Sequence, residues 1–584
     1  MSNVVSWSRT DDGDDGVILT SLTPLTSPDE DEIEGASSTR SSDAPHDTIK
    51  NIKDDELTEV FTIEEAVDKI GFGVFQVLLS LYIGATGVLE AIEVYVLAFL
   101  SAVLKCQWNL NYAEQATITM VVFVGYLIGS PIWGIIADKF GRKKVILALL
   151  TVAFLSGLAS AFSPNLYVLL LFRGGVGFAV GGAFVGAAYY SEFLPVRTRA
   201  VMLCLIFVSF AIGAVLVNIL ALVVMTSIHG DNAWRWLLGF TAIPLLVMIL
   251  LFPLIPESPR YLVFHGKEEK AKKVLALIAK INRKPVPIGR LVTAEEKEQL
   301  LKERALSLKD VTEMDDEETE AKEAVNGTLP NIDNNDLAII SSDNESDSEL
   351  LLDEHTHRRK QIINKLVNYY HWILILFKNG WWRTTLLLWF LWFAANLVHY
   401  GGVLLATSLF QHNQHCGLDL NANSTVCRTL TKSDYIHILW TSTAELPATV
   451  WSIVILLIMG RKKSIAVTTT AIAVCYALLF ICSNKTVLTV FLFGVRGFAT
   501  SFFQAIYLYT PEVYPTAVRA FGMSLCAGIS RFGAMLTPFI SQTLLAYNSI
   551  ATISLFIVFS LLSSLASLLL PIETRGRPMK DTGG

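Results

Sequence analysis

Apolar residues in this chain fall into two long blocks, about 71–254 and 382–571, with polar text before, between and after them. Inside each block the apolar runs reach about 20 residues, the length at which a helix crosses hydrocarbon. The runs predict spans over 72–102, 114–137, 145–163, 165–188, 200–226 and 234–254. The second block predicts 383–411, 435–459, 464–482, 487–509, 520–545 and 549–571. Lys and Arg near the span ends set the orientation. Lys139, Arg142, Lys143, Lys144, Arg197, Arg199, Arg461, Lys462, Lys463 and Arg519 fall on one face. The other face carries only scattered positives such as Lys105, Arg235, Arg428, Lys432 and Lys485. The basic face is expected to be cytoplasmic, and twelve spans put both termini there.

Composition sharpens this. Charged residues make up 17% of the 584, against the roughly 25% typical of soluble domains. Too few charges remain to cover a soluble surface, so an all-α integral membrane protein is the expected class. A net charge of -7 gives no reason to expect nucleic acid. Seven scattered Cys suit neither a disulfide framework nor a zinc module, and no metal site is expected. Residues 1–60 form an acidic, Ser- and Thr-rich tail read as disordered and cytoplasmic, with no cleavable signal sequence. The expected organisation continues with a six-helix bundle over 61–256 and a cytoplasmic central loop over 257–381, acidic from Glu313 to Glu354. A second six-helix bundle over 382–572 and a short cytoplasmic tail over 573–584 complete it.

The two blocks repeat one another. Gly141-Arg142-Lys143-Lys144 returns as Gly460-Arg461-Lys462-Lys463, and Arg173-Gly174 as Arg496-Gly497. Glu192, Pro195, Arg199 and Ala200 return with the same spacing as Glu512, Pro515, Arg519 and Ala520. Pro256-Glu257 closes the first block much as Pro571-Ile572-Glu573 closes the second. Parallel six-span repeats whose halves rock about a midplane site are one of the transporter architectures.

Gly134 to Lys144 (GIIADKFGRKK) resembles the motif between the second and third spans of the major facilitator superfamily. Pro256 to Tyr261 and Pro511 to Pro515 resemble its sugar-porter and organic-ion-transporter branch. Leu89 to Glu93, Thr384 to Phe390, Leu439 to Thr441, Tyr509 to Pro515 and Pro571 to Thr574 resemble the synaptic-vesicle-two-related (SVOP) proteins. The resemblance covers about 70–575 and not the acidic tail. The chain departs from it in its acidic insertion and in Met459-Gly460-Arg461-Lys462, which lacks the Asp of the first copy.

The motif residues read as a cytoplasmic gate. Gly134 is expected to let helices approach closely, and Asp138 to pair with Arg142 or cap a neighbouring helix. The alternative is a basic turn that only sets topology. Gly141, Glu192 with Arg199, and Glu512 with Arg519 are expected to belong to the same charge networks.

Charges inside spans are costly and are functional-site candidates by default. Glu90 and Glu93 share one face of the first span; they could accept a cation, carry a coupling proton, or include one settled polar contact. Arg531, in the eleventh span, is expected to face the cavity with a first-span Glu as partner, or to form a permanent ion pair. Arg173 matches a position that the family resemblance links to proton coupling, and it could equally brace helices. Glu445, followed by Pro447, divides between cavity acid and packing residue. His399, Tyr400 and Trp440 are further candidates, the aromatics through cation–π contact. Cys416 and Cys427 could form a disulfide in the loop after span seven, and Asn423 begins a glycosylation sequon there.

No Walker loop or nucleophile elbow appears, and neither an enzyme nor a cofactor is expected. The expected function is alternating-access transport of a small organic ion, proton-coupled or facilitative, in a vesicle or plasma membrane. A non-transporting membrane protein that binds partners and a sugar or neutral-solute porter are the alternatives. Asp347 to Leu352 resembles an acidic dileucine signal for sorting adaptors.

Overall fold

A computed structural model describes residues 60–228, 230–286, 289–293, 296–303, 376–377, 381–412, 428–481, 484–514 and 516–575. The first six spans are α2 (Val74–Gln107), α3 (Tyr112–Phe140), α4 (Arg142–Ala161), α5 with α6 (Leu166–Val180, Ala183–Ser191), α7 (Val196–Ser227) and α8 (Ala233–Leu251). The last six are α11 (Trp381–His412), α12 with α13 (Lys432–Thr443, Glu445–Met459), α14 (Arg461–Leu478), α15 (Lys485–Val513), α16 (Thr516–Pro538) and α18 (Ser549–Leu569). A π-helical turn, Phe539–Leu544, and the short α17 (Leu545–Tyr547) extend the eleventh span. Among the described residues, 11 spans are long and apolar enough to cross a membrane. The ninth span, α14, is the one left out: it carries Arg461, Lys462, Lys463 and three consecutive threonines, Thr468 to Thr470, and so reads as less apolar.

The two bundles have matching internal neighbours. Span 1 packs on 5, 2 on 4 and 3 on 6; likewise 7 on 11, 8 on 10 and 9 on 12. Spans 2 and 11, and 5 and 8, join the halves. The tightest crossing, α3 on α5, depends on glycine. A Cβ at Gly125, Gly129 or Gly177 would lie 2.0–2.3 Å from a facing backbone oxygen. Gly134, the expected close-packing residue, is not part of it: a Cβ there meets nothing within 4 Å. The crossing lies further toward the middle of α3, so the motif glycine is clear of any neighbour.

Four helices starting on the face opposite the basic loops are capped from their own sequence: Asn111, Asn165, Asn484 and Asn548 each accept from the third helical N–H. On the basic face α4 and α14 start differently, at Gly141 (φ 98°) and Gly460 (φ 80°). There a distant acid serves as the cap: Glu257 accepts from Lys143 N at 3.0 Å, and Glu573 from Arg461 N at 2.9 Å. Positive φ turns the backbone so that the N–H groups face the carboxylate, where the helix dipole favours it.

Outside the spans, α1 (Ile63–Ile70), α9 (Pro259–Phe264) and α10 (Glu268–Asn282) gather on the basic face with a two-residue parallel pairing of β1 (Val60–Phe61) and β2 (Arg290–Leu291). Asn282 ties α10 to the start of α2, accepting from Phe75 N at 2.9 Å and donating to Gln76 Oε1 at 2.8 Å. Lys297 lies 2.6 Å from Glu65 and holds that carboxyl below the usual range.

Gly141→Ala should lower stability by about 1–3 kcal/mol, because it forces a side chain into a sparsely populated conformation and sets its Cβ 2.7 Å from Glu257 Oε2. Gly134→Ala should be close to neutral. Thermal melting of the two variants in detergent checks both, and equal melting temperatures would contradict the capping role.

Candidate functional site

Two guanidiniums lie deep inside the bundles, one in each half. Arg173 of α5 places Nη1 3.0 Å from Glu93 Oε2 of α2, and its Nη2 donates to Ser160 Oγ at 2.7 Å. Both charged side chains are fully buried. Taking such a pair from water costs several kcal/mol per ion, which close pairing offsets. Two atoms of the pair are left over: Glu93 Oε1 and Arg173 Nε are buried with no hydrogen-bond partner.

In the second half, Arg496 of α15 donates from Nη2 to Glu445 Oε1 at 2.7 Å and from Nη1 to Ser442 Oγ at 2.8 Å. Glu445 opens α13, where the helix is interrupted at Ala444. Pro447 causes the break, having no N–H to give the carbonyl of Thr443. This second pair reaches across the molecule. Tyr95, from α2, donates its hydroxyl to Glu445 Oε1 at 2.8 Å and lies 3.0 Å from His399 Nε2 of α11.

Between the halves is a cavity of about 360 Å³, within the usual size of small-molecule sites. Glu90, Tyr126, His399, Tyr400, Glu445 and Arg531 line it, with Phe184, Phe503 and Tyr507 as an aromatic wall. Tyr126 donates to Glu90 Oε1 at 2.9 Å, and the Arg531 guanidinium stacks 3.6 Å from the centroid of the Tyr126 ring. The expected first-span partner of Arg531 is therefore reached through Tyr126: no ion pair joins Arg531 to Glu90 among the described residues. The cavity amides are already engaged. Gln504 bonds Ser452 and Thr449, and Asn396 donates to Ser530 O. Trp440 does not belong to this site; it is 61% exposed, on the outer surface of the bundle.

On the basic face the same knot occurs twice. Arg142 pairs with Glu192 at 3.2 Å, and Glu192 accepts from Ser258 Oγ. Arg461 pairs with Glu512 at 2.8 Å, and Glu512 accepts from Thr574 Oγ1. Burial pushes the Glu192 carboxyl up against the opposing pull of Ser258 and Arg142. Arg199 and Arg519 pair with neither acid among the described residues: Arg199 lies 3.8 Å from Glu64 and donates to Leu194 O, and Arg519 donates to Tyr514 O, the last two each at 3.4 Å. Asp138 is an outlier, 79% exposed and 3.5 Å from Arg142, so the second copy builds its knot without an Asp. Each knot lies within one half.

At the opposite end the halves are joined by hydrogen bonds. Gln411 donates to Ala102 O and Gln542 to Ser101 Oγ, both at 2.9 Å. The cavity extends the other way, to Ser191 and Leu203 on the basic side, where the rings of Phe207 and Tyr507 meet at 4.9 Å. Cys106, at the end of α2, is disulfide-bonded, whereas Cys475 and Cys526 are free. Cys416, Cys427 and Asn423 lie outside the described residues.

Sequence reasoning left Arg496 as a mere landmark of the repeat and missed Tyr95, Tyr126 and Ser160. Arg496 had a usable signal, an arginine inside a span. A tyrosine in an apolar span has none, because such residues are common.

The model of the sugar (and other) transporter family matches residues 86–316 and 405–582. The synaptic vesicle 2-related protein of Pongo abelii is 35% identical over 90% of this chain and 83% of its own length. That of Xenopus laevis is 34% identical, with the same coverage. Among solved structures, the partially occluded inward-open xylose transporter XylE of E. coli has a TM-score of 0.58 at 15% identity, covering 86% of this chain and 99% of that one.

Arg496→Met alone should cost about 3–5 kcal/mol, because it leaves the buried Glu445 carboxylate without its counter-charge. Adding Glu445→Gln should restore part of that loss. A double-mutant cycle in detergent unfolding checks it; strictly additive losses would show that the two side chains do not act as a pair.

Proposed function

Because this chain belongs to the sugar (and other) transporter family of the major facilitator superfamily, we propose that it carries a small organic ion by alternating access, with Glu93 as the site of a coupling proton. The observation that carries this reading is the fully buried Glu93–Arg173 pair behind the central cavity, with one carboxylate oxygen unsatisfied. Protonating Glu93 removes the charge that holds Arg173. The buried guanidinium then needs another partner, and that need biases one arrangement of the halves over another.

The positive-inside rule makes the basic face cytoplasmic. The described conformation is then sealed on the outside, and its cavity leads toward the cytoplasm. Rocking the halves would break the contacts of Tyr95, Gln411 and Gln542 and close the basic side.

An ionic substrate fits the cavity better than a sugar. Gln504 and the amino group of Asn396, natural partners for hydroxyl groups, are bonded within the protein. Glu90 and Arg531 meet at Tyr126, through a hydrogen bond and a stacking contact that a charged ligand could replace. The sugar reading keeps its support from the family description. The names of the relatives favour a vesicle membrane, with the plasma membrane second. The sorting signal at Asp347 to Leu352 lies outside the described residues and belongs to the same proposal.

Purified protein in liposomes should take up at least one member of a panel of cations, anions and sugars. An inward-directed pH gradient should raise accumulation, and Glu93→Gln should abolish that gain while leaving substrate exchange. Wild type and Glu93→Gln behaving alike toward every solute would remove the support for proton coupling.

A further inference from the structure

Glu93 is sealed from the central cavity, so a proton needs a path to it. The first half contains a second, smaller cavity of about 60 Å³ beside that pair. Thr86, Glu90 and Glu93 are its polar lining residues; Ala153, Leu245 and Gly186 are among the apolar ones. Glu90 borders both cavities, and it is the described carboxylate that does so. A site that holds one water in about 10–15 Å³ gives this space room for about four. The unsatisfied oxygen of Glu93 supplies the polar end that such waters require.

From this arrangement we infer that Glu90 is a proton relay, and that the small cavity is a water-filled passage from the central cavity to Glu93. The inference rests on the reading of Glu93 as the proton site and adds its route. A hydronium ion in the central cavity breaks one O–H bond and is left as water, as its proton forms an O–H bond on the Glu90 carboxylate. It leaves on the other side through the chain of waters, each taking one proton and passing one on, and ends on Glu93 Oε1. No electrons are transferred. The net change is one proton moved inward, with the Arg173–Glu93 ion pair reduced to a charge–dipole contact.

The groups facing this path come from four elements. Arg173 from α5 holds Glu93, and Tyr126 from α3 donates to Glu90. Arg531 from α16 and Tyr400 from α11 act on Glu90 electrostatically. The linings supplied by α4, α6 and α8 are apolar or glycine. Two acids one helical turn apart serve the relay in a way that one could not. The first is reachable from the ligand cavity, and the second is isolated with its arginine. A ligand bound at Glu90 would also block the path, so substrate occupancy and proton entry would be ordered.

Time-resolved infrared spectroscopy after a rapid pH drop, on the full chain in lipid bilayers, reads the carboxylic acid band of Glu93, identified by its loss in Glu93→Gln. Glu90→Gln, which keeps the shape, should slow the rise of that band at least tenfold with the same final amplitude. Ala153→Leu, which fills the small cavity and leaves both acids in place, should slow it similarly. Glu90→Asp should keep much of the wild-type rate. An unchanged rate in both Glu90→Gln and Ala153→Leu would overturn the relay while leaving Glu93 as the proton site. Absence of any Glu93 band at every pH would overturn the proton site, and the relay with it.

Discussion

A charge inside a bilayer must find its counter-charge within the protein, and much of this structure depends on how two arginines meet that demand. Arg173 and Arg496 are each too deep to reach water, so each fixes an acid and one or two hydroxyls around itself. Those contacts determine where helices can lie. Glu93 ties the first span to the fourth, and Glu445 ties the eighth to the tenth. Tyr95 then extends the second group across the midline. The central cavity is what remains between two neutralised cores, and its remaining charges, Glu90 and Arg531, stand out for that reason.

The paired knots on the basic face have a different role. Each joins the helix after a glycine turn, the end of the fourth span of its half and the segment closing that half. Both therefore act within a bundle and stiffen it as a body. Among the described residues no salt bridge joins the bundles; hydrogen bonds, ring contacts and the stacking of Arg531 on Tyr126 do. Ion pairs kept inside each half, with other contacts between them, suit a molecule whose halves are to move as units.

Much of this was legible in the sequence. Run length and charge asymmetry gave the spans, and the repeat of Gly141, Arg173 and Glu192 at a near-constant offset gave the two bundles. Glu90, Glu93 and Arg531 were identifiable because charge in hydrocarbon is expensive wherever it occurs. Pairing was less legible. Glu192 bonds Arg142 from another helix, and not Arg199 one loop away, because Arg199 faces Glu64 and the Leu194 carbonyl of its own turn. Gly134 looked like a packing residue by type, yet the α3–α5 crossing falls on Gly125 and Gly129. Which side of a helix faces a neighbour is set by the assembled bundle. Trp440 illustrates the same limit, since an aromatic on the outer face reads in sequence like one in the cavity.

The two buried arginines occupy corresponding places in the repeat, but their acids do not. One comes from the first helix of its half and the other from the second. If the halves descend from one duplicated ancestor, the arginine was inherited in both copies and its partner was replaced in at least one. On the basic face Arg142 with Glu192 and Arg461 with Glu512 keep the same partners in both copies. Placing the acid on a different helix gives the same arginine different surroundings in the two halves.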